Sequence, residues 1–198
     1  MTKQNSQVEF VEDSGFLPEG YTVPDKNRQF MKLQNGDNVI RVLTTPTLGW
    51  EIFTEDNKPV RKKFIDGNNN FTSEEMEEYG AKRDEKTGKL IPPKHFWILL
   101  VWNFATNSPK ILEITQITVI KKLHAYLKEE DWGDLRKYNI NITRTGTGIN
   151  DTEYDVIAKP HKELPEEVKR VVKELHEKNL VNMDAIWNGD YPFEIYNW

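Results

Sequence analysis

Over residues 138–159 the chain alternates on a two-residue period. Ile140 and Ile142 lie on one side and Asn139, Asn141 and Thr143 on the other, the pattern of a half-buried strand. Residues 144–151, RTGTGIND, interrupt it with side chains that tolerate left-handed backbone or bond their own main chain, before Tyr154, Val156 and Ala158 resume it. This predicts a hairpin with a long polar tip, a common place for a binding function.

Earlier strands are predicted at 30–33, 39–43, 50–53 and 60–65, punctuated by Asn35-Gly36-Asp37, by Pro46 and Gly49, and by Asn57-Lys58. The most apolar run, HFWILLVWNF at 95–104, is rich in aromatic and β-branched residues and too short and proline-bounded for a helix. A central strand is expected there, with 110–115 as its partner. From Gln116 the period becomes 3.6 residues. Ile117, Ile120, Leu123, His124 and Leu127 then share one helical face, with His124 expected in the core or at its boundary. A second helix is signalled by Pro165, by Glu166 and Glu167 in its first turn, and by Val168, Val171, Val172 and Leu175 on one face. Asn182 is placed to cap a last short turn ending at Gly189.

Residues 66–94 change character. They carry Asp66-Gly67, three asparagines, and Thr72-Ser73-Glu74-Glu75 with the spacing of a capping box. Strands, an insertion, a long strand, one helix and a closing hairpin is the element order of an OB-fold, with the helix between the third and fourth strands. The expected class is therefore mainly β with added helices (α+β). An arm at 1–29 would precede a five-stranded OB-fold barrel at 30–162, with 66–94 inserted between strands 2 and 3. A helical extension and aromatic tail would follow at 163–198.

Composition narrows the chemistry. No run in the 198 residues approaches the roughly 18 apolar positions of a membrane helix, so no membrane association is expected. The start has no apolar stretch behind Lys3, and no secretory signal is predicted. Cysteine is absent, which excludes disulfides, thiolate zinc sites and cysteine nucleophiles together. A net charge of −5 argues against a nucleic-acid partner until its distribution is considered. Residues 163–198 hold four Lys or Arg against eight Asp or Glu, which leaves 1–162 with 23 against 24.

Binding a single strand needs cations along the phosphates and aromatic faces for the splayed bases. Lys58, Arg61, Lys62 and Lys63 lie within six residues free of acid, and Trp50 and Phe53 fall on the adjoining strand. Lys94 precedes the aromatic run, and Arg144 stands at the mouth of the hairpin loop. Trp97 shares a face with Asn103, the less apolar side of the central strand, so it is preferred to Trp102 as a base platform. Arg41 completes the candidate set. A lysine-defended strand edge is the alternative for the basic cluster, and core packing the alternative for the tryptophans, with Trp132 and Tyr138 read as packing. The Thr145-Gly146-Thr147-Gly148 loop lacks a Walker lysine, the four histidines are scattered, and no serine sits in a nucleophile motif. No cofactor, metal or catalytic activity is expected.

The run Phe30-Met31-Lys32-Leu33-Gln34-Asn35-Gly36-Asp37-Asn38-Val39-Ile40-Arg41-Val42-Leu43 resembles the single-stranded-DNA-binding proteins of tailed bacteriophages. So do Gly49-Trp50-Glu51 after Pro46, Asp131-Trp132-Gly133, the hairpin with Asp151-Thr152-Glu153-Tyr154, and Ser14-Gly15-Phe16-Leu17-Pro18-Glu19-Gly20-Tyr21. The resemblance spans about 14–162. It implies an OB-type barrel and sequence-tolerant binding of single-stranded DNA in phage replication, recombination or repair, in the cytoplasm of a bacterial host. It also implies replication proteins as partners through the C-terminal extension. Without cysteine no zinc subdomain carries over, and the tail here is mildly acidic and ends in aromatics. Two other functions stay open from the residues: a protein-interaction OB module, and a metal-dependent nuclease. The tail at 190–198 is expected to cover the DNA groove or to dock a protein.

Overall fold

A computed structural model describes residues 29–65, 69–148 and 151–193. The arm up to residue 28, the hairpin positions Ile149 and Asn150, Asp66-Gly67, and the last five residues of the tail lie outside the described residues.

Two short apolar residues, Phe30–Met31, open the sheet as β1. Gly36 takes a φ of +90°, which only glycine adopts freely, and so turns the chain into β2 (Gly36–Val42), where Val39, Ile40 and Val42 supply the β-branched side chains. β3 (Thr47–Phe53) and β4 (Pro59–Lys63) form a hairpin in which Glu51 lies directly opposite Arg61. The capping box at Thr72 forms as expected and opens α1 (Ser73–Glu78): the Thr72 hydroxyl accepts from the Glu75 amide, and the Glu75 carboxylate accepts from the Thr72 amide. β5 (Lys94–Asn103) and β6 (Ser108–Ile114) follow, then α2 (Ile117–Lys128). The predicted closing hairpin is β7 (Tyr138–Thr145) with β8 (Glu153–His161), and α3 (Glu166–Glu177) starts just after Pro165. A 3₁₀ turn over Met183–Asn188 is capped by Asn182 and ended by Gly189 in the left-handed region.

Among the described residues the result is a mixed α+β, sheet-dominated fold. Eight strands join in the order β1-β6-β5-β2-β7-β8, with β3 bridging β4 and β5, and the sheet does not close on itself. Pairing is antiparallel except where β1 lies parallel to β6. α2 falls between β6 and β7 in the chain.

β5 is the centre of the molecule and is covered on both faces. Trp97, Leu99 and Val101 pack with Val119, Ile120 and Leu123 of α2 and with Ile140 and Ile142 of β7. Phe96, Ile98 and Leu100 pack with Ile111 under Leu175, Leu180, Ile186 and Phe193, so the C-terminal segment forms a second apolar layer. A third, smaller cluster seats α1 on β3 through Ile52, Phe71, Met76 and Ala81. The layers carry most of the stability, at roughly 25 cal/mol per Å² of apolar surface removed from water.

α2 is rotated from its expected orientation. Its inward residues are Val119, Ile120 and Leu123, whereas Ile117 and Leu127 are exposed and so is His124. Tyr126 anchors this setting, its hydroxyl donating to the Val156 carbonyl at 3.3 Å.

At Gly49, β3 comes close to the second layer. A Cβ there would stand 2.5 Å from Phe96 Cζ and 2.7 Å from the main-chain oxygen of Lys62, which cannot swing away. Gly49→Ala is expected to lower stability in urea by about 1–3 kcal/mol, the usual cost of overpacking. An unchanged midpoint would mean that the strands separate freely there.

Candidate nucleic-acid interface

The alternation that set Trp97 and Trp102 on opposite faces of β5 is present, but neither face is wet. Trp97 is 6 % exposed and Trp102 2 %, so neither indole offers a face to a base, which corrects their place in the candidate set. Asn103, the polar residue that made one side look wetter, is itself buried and accepts from the Ala105 amide at 2.9 Å to hold the following turn. Trp132 and Tyr138 pack, as expected, against the α2 layer.

Arg61 is also removed from the set. Its guanidinium donates to Glu51 at 2.8 Å and to Glu113 at 2.7 Å, and lies over the Phe96 ring. Glu51 is 2 % exposed, and burial pushes its carboxyl up from the ordinary range. The neighbouring Glu113 pushes the same way, while Arg61 opposes both. Lys62 is bound by both oxygens of Glu75, at 2.7 and 2.9 Å, and sits over Phe71. It ties β4 to α1. Lys63 is freer, 3.4 Å from Asp184 and over the Trp187 ring. The run 58–63 is thus free of acid in sequence, yet acids from β3, α1, β6 and the last turn converge on it.

Trp50 is half-buried against the α1 cluster, its ring 4.9 Å from that of His95. Burial lowers the His95 pKa, which favours the neutral ring. Arg144 is half-buried and donates to the Leu33 carbonyl at 3.1 Å, far along β7 from the other candidates. Arg41 is 2 % exposed and lies at the opposite end of β2.

Phe53 and Lys94 are the candidates that come together in the open. With Ile52, Lys82, Ile91, Pro92, Asn57 and Glu51 they line a cleft of about 280 Å³ between the β3–β4 hairpin and the entry to β5. Phe53 is 39 % exposed. Lys94, and Lys58 next to the cleft residue Asn57 in the chain, are exposed and form no ion pair among the described residues. Lys82 donates to Asn57 at 2.9 Å, and the one acid of the cleft, Glu51, is already held by Arg61. Farther along the same hairpin Phe64 is 39 % exposed and its ring lies 5.8 Å from His95.

Sequence reasoning missed Lys82 and Phe64. Phe64 stood directly after the cations of β4, which was the available signal; Lys82 lies within the insertion and reaches the cleft only through the fold. Among the described residues no group of three or more His, Asp or Glu could hold a metal ion, and no helix is long and apolar enough to cross a membrane. No family model matches the chain, and no curated protein or solved structure is found to be similar to it.

Proposed function

We propose that this chain is a non-catalytic, sequence-tolerant single-stranded-DNA-binding protein with an OB-type arrangement of strands. The topology supports that arrangement: β2 running on into β3 acts as a long first strand that pairs with both β5 and β7. β5 and β6 are then the second and third strands, so that residues 66–94 fall between the first and second strands instead of the expected second and third, with α2 the intervening helix and β7 and β8 the fourth and fifth. In place of a closing contact, β1 lies along β6.

The observation that carries the function is the cleft beside Phe53. An exposed aromatic residue beside Ile52, Ile91 and Pro92 offers a stacking face to a base, and Lys94 and Lys82 in the same cleft supply the cations for the adjoining phosphates, with Lys58 following Asn57 in the chain. Such a site reads no base edge, so affinity should depend little on sequence and strongly on salt.

Anisotropy of labelled oligo-dT is the suitable measurement, because the buried Trp97 and Trp102 make intrinsic fluorescence a poor reporter. Log K is expected to fall with log salt by about 0.7 for each phosphate neutralised. Phe53→Ala is expected to lose about 1–3 kcal/mol, and Lys94→Glu to reduce the salt slope by about one contact. Binding that ignores salt and survives Phe53→Ala would refute the proposal.

A further inference from the structure

Arg41 poses a problem that the Phe53 cleft does not answer. It is among the largest fully buried side chains, and among the described residues no carboxylate pairs with it. Its Nε donates to Asn139 Oδ1 at 2.9 Å, and its two terminal nitrogens to the main-chain oxygens of Arg136 at 3.3 Å and Lys162 at 2.7 Å. All three partners are neutral. A guanidinium has five N–H donors, so two remain, and a charge out of water without a counter-charge is costly.

The surroundings add positive charge. Arg41 lines an open cavity of about 550 Å³ together with Arg136, Lys137, His161, Lys162, Leu164 and Lys169, and with one acid, Glu163. Arg136 is neutralised by Asp134, its guanidinium 2.7 Å from the carboxylate, and Lys169 is flanked by Glu163 and Glu166. Lys137 and Lys162 are exposed and form no ion pair among the described residues. Counting Arg41, Lys137 and Lys162 as positive, Arg136 with Asp134 as neutral, and Lys169 with its two glutamates as one negative leaves two positive charges. A phosphate dianion would balance them.

We propose that this cavity, at the Tyr138 end of β2, β7 and β8, is a phosphate-binding site, with Arg41 as its floor and Lys137 and Lys162 as its walls. Arg41 also builds the site, because the two carbonyls it holds belong to Arg136 and Lys162 and so fix both walls. The phosphate is either free or the terminal group of a polynucleotide, and both present the same oxygens to a guanidinium and two ammonium groups. The site shares no residue with the Phe53 cleft and does not depend on DNA binding there.

The test is a titration of the full chain with inorganic phosphate at constant ionic strength, followed by ³¹P NMR and by thermal stability. Saturable one-to-one binding is expected, weakened at least about tenfold in Lys137→Ala/Lys162→Ala and unchanged in the control Lys121→Ala on α2. Arg41→Leu should abolish it; since Arg41 also joins three segments, the exposed lysine pair carries the test if that variant fails to fold. Oligo-dT with a 5′ phosphate is then compared with its 5′-hydroxyl form. Tighter binding of the phosphorylated strand, erased in the lysine pair, identifies a strand terminus; equal binding with retained phosphate affinity identifies a free phosphate. Phosphate that stabilises the protein no more than matched chloride overturns the proposal. Retained phosphate binding without any DNA binding leaves this site standing and removes the DNA function alone.

Discussion

Arg61→Met is expected to cost about 3–5 kcal/mol of stability at neutral pH, the range found when one partner of a buried ion pair is removed. The loss comes from what stays behind. Glu51 is nearly inaccessible, faces Glu113, and has Arg61 as its directly opposite cross-strand neighbour. The pH dependence has a defined sign. Burial already holds the Glu51 carboxyl above its ordinary value, so the folded state keeps a proton where the unfolded state has released one, and this group's contribution to stability falls as pH rises through that window. Without Arg61 the opposing attraction disappears and the window moves upward. The deficit should therefore be largest near neutrality and shrink on acidification, and Glu51→Gln added to Arg61→Met should recover part of it. Urea titrations at pH 7 and pH 5 check this; a loss below about 1 kcal/mol, or one that persists undiminished in acid, would mean that Glu51 is not the group left stranded.

The other large effect is expected from the C-terminal layer. A chain ended after Lys162 would bare Phe96, Ile98, Leu100 and Ile111 along the two central strands, and should aggregate or bind apolar dyes without cooperative unfolding. Within the full chain, Ile186→Ala and Leu175→Ala should each cost about 2–5 kcal/mol, since both side chains are almost wholly buried in that layer. Thermal unfolding monitored by circular dichroism distinguishes the outcomes. Cooperative melting of the truncated chain would show that the sheet is stable with one apolar face open.

The elements were legible in the sequence because each has its own period or cap. Alternation located the β7–β8 hairpin, the Thr72 box located α1, and Asn182 with Gly189 located the last turn. What could not be read was what covers each face. Period-two alternation separates the two sides of β5 without saying that α3 and Phe193, far along the chain, seal one of them. Asn103 therefore looked like a sign of solvent when it holds a turn. The cations of β4 were misjudged for the same reason: their carboxylates come from positions 51, 75, 113 and 184, so a short window of sequence around them looked unopposed. Lys94 and Phe53 remained available because, among the described residues, no carboxylate forms an ion pair with Lys94 and Phe53 stays exposed.

That late-arriving layer also bears on how the protein is made. Translation delivers β5 and β6 well before Leu180, Ile186 and Phe193 exist, and at about 5–20 residues per second the nascent sheet waits for several seconds with one oily side open to water. A ribosome-associated holdase would find its target there, and synonymous codons that slow elongation beyond β6 should lower the soluble yield without altering the finished molecule.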